Sequence, residues 1–99
     1  MALLDDMKLA LRVTAPEFDG EVEMLIASAF ADMERVGIDA SKLDAESPDP
    51  LVRMAVYCWC KARFGFDNDD AAAFDASYRS TVTDMLNSSD YNPLMGGAS

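Results

Sequence analysis

The sequence predicts an all-α protein, a small four-helix domain with a long loop between the second and third helices. Three observations predict it. Apolar residues recur at three- and four-residue steps in four separate segments, the period of helices that each bury one face. Glycine, aspartate and proline stand where such segments would start and stop. The chain has 99 residues, 51% of them hydrophobic, enough for one core and one domain. Residues 1–88 are assigned to that helical domain and residues 89–99 to a flexible C-terminal tail.

The first helix is expected from Leu3 to Val13, with Leu4, Met7 and Leu11 on one stripe and Asp5, Lys8 and Arg12 outside it. "TAPEFDG" interrupts. Thr14 and Glu17 have the form of a capping box, Pro16 fits a turn or a first helical turn, and Asp19 is the preferred N-cap of the next helix. In "GEVEMLIASAFADMERV" the stripe is Val22, Leu25, Ile26, Ala29, Phe30, Met33 and Val36, and Gly37 can stop the helix by taking positive φ. "IDASKLDAESPDP" is long for a connection, so it is either functional or hides a helical turn near Ser41 to Leu43.

Asp49 as cap and Pro50 at the first position open the third helix, "PLVRMAVYCWCKARFG", which Gly65 ends. It carries two apolar stripes: Leu51, Met54, Ala55, Cys58 and Ala62, and Val52, Val56, Trp59 and Arg63. Such a helix is either the core of its own domain or partly buried by another subunit. Asn68, Asp69 and Asp70 open the last helix, whose core stripe is Ala71, Phe74, Tyr78, Val82 and Met85. "SSDYNPLMGGAS" is expected to be loose unless a partner orders it.

Eighteen acidic residues face eight basic ones, a net charge of -10. That balance repels phosphate and disfavours direct binding to a nucleic-acid backbone. The opening residues carry acids early and lack a long apolar run, so neither a signal peptide nor a membrane anchor is expected, and no membrane association. Two cysteines in such a chain are expected to be reduced.

Cys58 and Cys60 lie two apart on a helix, so their side chains diverge by about 200° and cannot share a metal. There is no histidine to complete a zinc site or activate a nucleophile. "CWC" therefore reads as buried packing, with free cysteine acting as a small hydrophobe. "DAESPD" and "FDNDDAAAFD" lack the spacing of a calcium loop and read as solvated acids and caps. No catalytic, metal or cofactor residue is assigned, and no enzyme is expected. A carrier protein would need serine directly after aspartate, and "IDASKLD" puts Ala40 between Asp39 and Ser41. One cluster stands out: Trp59, Lys61, Arg63, Phe64 and Phe66 gather aromatics and cations within eight positions, residue types enriched at interfaces. An ordinary helix end packed on its own core is the competing explanation.

Taken in order, "LLDDMKLALRV", "FDGEVEMLIASAFADMERVGI", "DPLVRMAVYCWCKARFGFDN" and "AAAFDASYRSTVTDML" resemble the head–tail connector proteins of tailed bacteriophages and prophages, also called head completion or adaptor proteins. The similarity runs from about Leu3 to Leu86 and rests most on "LALRV", "ERVGI" and "KARFGFDN"; the cysteines of "YCWC" depart from it. The resemblance implies a non-enzymatic subunit of a collar of about twelve copies with cyclic symmetry. That collar lies below the portal protein, extends the DNA channel and docks stopper or tail completion proteins. It also implies a virion component at the head–tail interface, assembled in the bacterial host cytoplasm. Partner-facing residues are expected at Trp59, Arg63 and Phe66 for subunit contacts, and at Tyr91 and Leu94 for a tail reaching the portal. The alternative is a small acidic helical interaction or regulatory protein of a mobile element.

Overall fold

Asp49 and Pro50 start the helix around which the others pack. In the computed structural model, which describes residues 2–64 and 69–96, the Asp49 carboxylate accepts from the Leu51 N–H at 3.0 Å, and Pro50 occupies the first helical position, where no N–H is needed. The long helices are α1 (Leu3–Leu11), α2 (Asp19–Val36), α3 (Pro50–Arg63) and α4 (Ala71–Leu86). A single turn, α5 (Pro93–Gly96), follows, and 3-10 turns occupy Pro16–Phe18 and Ala40–Lys42. Among the described residues every regular element is helical, as the periodicity predicts.

α3 packs most extensively on α4, then on α2 and more lightly on α1. Its Val52, Ala55, Val56, Cys58 and Cys60 are buried, meeting Val22, Ile26, Ala29 and Met33 of α2, Tyr78, Val82 and Met85 of α4, and Leu3 and Met7 of α1 in one core. The second apolar face is therefore consumed largely inside the chain. Of the two predicted stripes, Leu51, Met54 and Arg63 stay exposed. Both cysteines are buried free thiols, and burial pushes Cys60 up to about 12 and Cys58 above its ordinary value.

Three local details differ from expectation. α1 stops at Leu11, two residues early, because Arg12 adopts a left-handed conformation (φ 60°) and its N–H closes the last turn. Asp19 is not a side-chain cap: Phe18 holds the cap position, and the Asp19 carboxylate pairs instead with Lys8 of α1 at 2.5 Å. The α1 spine is Leu3 and Met7, with Leu4 and Leu11 only partly buried.

Gly37 ends α2 at φ 121°, as its position predicts. The connection from Gly37 to Asp49 is held down at intervals. Ile38 and Pro48 are buried, Leu43 packs on the core, and Leu3 N–H donates to the Ala45 carbonyl at 2.8 Å. The hidden turn is real, Ala40–Lys42, and it opens with the Asp39 carboxylate accepting from Ser41 N–H at 3.0 Å. Gly65, Phe66 and Asn68, expected to punctuate the α3–α4 junction, lie outside the described residues.

Candidate assembly surface

The C-terminal half of α3 presents Trp59 beside Arg63, one turn apart. The guanidinium of Arg63 stacks on the indole, 3.4 Å from the ring centroid, in cation–π geometry. The indole N–H donates to Ser28 of α2 at 2.9 Å, and the other side of the cluster is the Tyr78 ring of α4, 4.8 Å away between centroids. Trp59 is thus fixed by three elements at once and forms the half-buried wall of a cleft between α2, α3 and α4.

The cleft measures about 540 Å³ and has an apolar floor of Val36, Val82 and Leu86. Charge is arranged around its rim. Asp75 accepts from Arg63 at 3.2 Å and pairs with Arg79 at 3.0 Å. Asp32 accepts from Arg35 at 2.7 Å and from the Tyr78 hydroxyl at 2.7 Å. Burial works against the Asp32 charge, but the Tyr78 hydrogen bond and the Arg35 pair outweigh it and hold the carboxyl below its ordinary value. Burial, reinforced by donation to Asp32, pushes the Tyr78 hydroxyl well up.

Two of the five sequence-predicted positions, Trp59 and Arg63, meet in this cleft. Tyr91 lies elsewhere, folded back on the α2–α3 connection. Its hydroxyl donates to the Asp49 carboxylate at 2.6 Å, its carbonyl accepts from Asp39 N–H at 2.7 Å, and Lys42 Nζ sits 5.7 Å from its ring centroid. Donation to Asp49, followed by burial, pushes its hydroxyl up to about 12. Asn92 adds a bond from its amide to the Leu86 carbonyl at 2.8 Å, so the first residues of the expected tail are tied to the body. Leu94, just beyond, is 82% exposed. Phe66 lies outside the described residues.

The sequence does not single out Arg35, Asp32, Asp75 and Arg79, and it places Tyr78 in the core stripe of α4 without its part in the cleft. Arg35 with Asp32 and Arg79 with Asp75 are i,i+3 and i,i+4 pairs that spacing alone could have revealed. The Asp32–Tyr78 bond spans 46 positions and needs the fold.

A family model for phage connector proteins matches residues 3–92, which is the described helical body and the Tyr91–Asn92 clasp together. The chain belongs to the phage connector protein family. Neither curated proteins nor solved structures gave a match. Membership in this family of structural connectors supports a phage connector role and argues against catalysis. In this connector no helix of the described residues is long and apolar enough to cross a membrane.

Proposed function

We propose that the chain is a head–tail connector subunit that forms a homo-oligomeric ring below the portal protein, extends the DNA channel and docks stopper or tail completion proteins. The family match over residues 3–92 carries this reading, because it spans the whole helical body and not one helix pair. The molecule would then be a virion component at the head–tail interface. A net charge of -10 suits a conduit through which DNA slides without sticking, since each exposed carboxylate repels the phosphate backbone.

Trp59 and Arg63 act in subunit contacts as the rigid wall of the α2–α4 cleft, with Phe66 on the following segment. Tyr91 anchors the start of the tail, and Leu94 offers an apolar side chain to the portal. Light scattering behind a sizing column, with and without the portal protein, tests the ring. A species of about twelve subunits with cyclic symmetry is expected. A chain that stays monomeric alone and on the portal would refute the connector ring. Truncation after Asn92 removes α5 but keeps the Tyr91 clasp, so it should weaken portal capture and leave α1 to α4 folded. Undiminished capture by that variant would remove Leu94 from the contact.

A further inference from the structure

The connector's charge is unevenly placed. Three of its eight basic residues, Arg35, Arg63 and Arg79, line the α2–α4 cleft, against only two of its eighteen acids, Asp32 and Asp75. Five cations and sixteen acids are left for the rest of the chain. Both cleft carboxylates are already shared, Asp75 by two arginines and Asp32 by Arg35 and Tyr78. The Arg35 and Arg79 side chains remain 71% and 78% exposed, so most of their N–H donors face solvent.

A second groove, of about 400 Å³, lies where α2 meets α1 and the 44–46 segment. Its floor is Leu4, Ile26 and Phe30, and its rim carries Asp5, Glu23 and Glu46, with no cation in its lining. On α2 the residues of this groove (Glu23, Ala27, Phe30) and those of the basic cleft (Asp32, Arg35, Val36) point about 170° apart at 100° per residue. The two grooves therefore occupy opposite flanks of one helix, one acidic and one basic, each with an apolar floor.

We propose that the basic cleft of one copy receives the acidic flank of the next, making a head-to-tail contact; this rests on the ring assembly proposed above. Self-matched pairing is opposed, because it would set Arg35 and Arg79 against themselves, or Glu23 and Glu46 against themselves. Unlike flanks on opposite sides of a subunit give a heterologous interface, the kind that generates rings when the rotation closes. The three rim carboxylates supply acceptors for the unused guanidinium donors, and Leu4 and Phe30 face Val82 and Leu86 across the contact.

The test joins two readouts on the full chain. Thr83, exposed in the basic cleft, and Ala27, exposed in the acidic groove, are changed separately (Thr83→Cys and Ala27→Cys), and the two variants are mixed and oxidised. The native thiols are buried, so the added ones react. The mixed disulfide should exceed either homodimer by about tenfold or more. In parallel, light scattering, alone and with the portal protein, follows the wild type, Arg35→Glu/Arg79→Glu and Glu23→Arg/Glu46→Arg. Each charge-reversed variant alone should lose assembly, and an equimolar mixture of the two should recover it, since each supplies the flank that the other has inverted. A mixed disulfide without wild-type rings supports the flank pairing and refutes the ring. Wild-type rings with no excess of mixed disulfide, or with full assembly of the reversed variants, overturn the pairing and leave the ring standing. Monomers throughout with no cross-link overturn both.

Discussion

Replacing Tyr78 by phenylalanine removes one oxygen from the molecule and one hydrogen bond from the α2–α4 contact. The ring itself, 3% exposed and tilted at 60° against Trp59, keeps its packing, so the change isolates the 2.7 Å bond to Asp32. A hydrogen bond to a charged group contributes about 1.5–3 kcal/mol, and the low end applies here because Asp32 retains Arg35 and stays about a quarter exposed. Taking about 1.5 kcal/mol, and an unfolding entropy of ~2.1 cal/mol/K per residue over 99 residues, the melting temperature should fall by about 7 °C.

The pH dependence gives a sharper test. Asp32 has a folded value lowered from 3.8, so its stabilisation is fully present above pH 3.8 and is lost as pH falls through the lower folded value. Tyr78 is raised from 10.0, so its contribution is present below pH 10. The cost of Tyr78→Phe should therefore be full at pH 7 and shrink at about pH 2. Circular dichroism melts of wild type, Tyr78→Phe, Asp32→Asn and the double variant would measure it. In the double variant the two losses should not add. Equal losses at both pH values, or additive ones at pH 7, would refute the coupling.

Gly37→Ala should cost about 1–2 kcal/mol, because φ 121° is strained for any L side chain and the new Cβ would meet Leu86 Cδ2 at 3.3 Å; an unchanged urea midpoint would contradict this. Tyr91 has a folded value of about 12 against 10.0 unfolded, so the clasp contributes below pH 10 and is lost as pH rises through about 12. Phenolate absorbance should show Tyr91 ionising late, and Tyr91→Phe should remove that late component. Cys60, fully buried with its thiol pushed up to about 12, should react with a disulfide reagent only on unfolding. Cys60→Ser should destabilise by about 1–3 kcal/mol through an unmatched hydroxyl, and Cys60→Ala by less.

Local grammar was legible where a residue acts on its immediate neighbours. Asp49–Pro50 began a helix, Gly37 ended one, and Tyr78, Val82 and Met85 faced inward, because caps, positive φ and a 3.6-residue period are decided within a few positions. The errors arose where a distant residue won. Asp19 had every local reason to cap α2, yet Lys8 of another helix took its carboxylate. α3 displayed two apolar stripes because three of its own neighbours cover it, and nothing local separates that from coverage by another subunit. Trp59 and Arg63 are residue types enriched at interfaces, and the structure brings them into one cleft. The acids and arginines around them come from α2 and α4, too far away in the chain to be read together.

Net charge and local charge pull the connector in opposite directions, and distance separates them. Between copies more than a Debye length apart, about 10 Å at 0.1 M salt, each molecule meets the other's average of -10, which is repulsive. Once two flanks approach to hydrogen-bond distance in the proposed pairing, the charges that meet are three arginines and two carboxylates on one side and three carboxylates on the other. These are partly desolvated by Val82 and Leu86 and by Leu4 and Phe30, and salt screens them less. Moderate salt therefore weakens the repulsion first and leaves most of the contact attraction, so assembly should rise from low ionic strength. Near 1 M, where the Debye length is about 3 Å, the contact pairs are screened as well and assembly should decline. A monotonic rise would indicate that the apolar floors dominate, and a monotonic fall that the net charge hardly opposes assembly. A maximum at intermediate salt is what an acidic subunit with one basic flank requires.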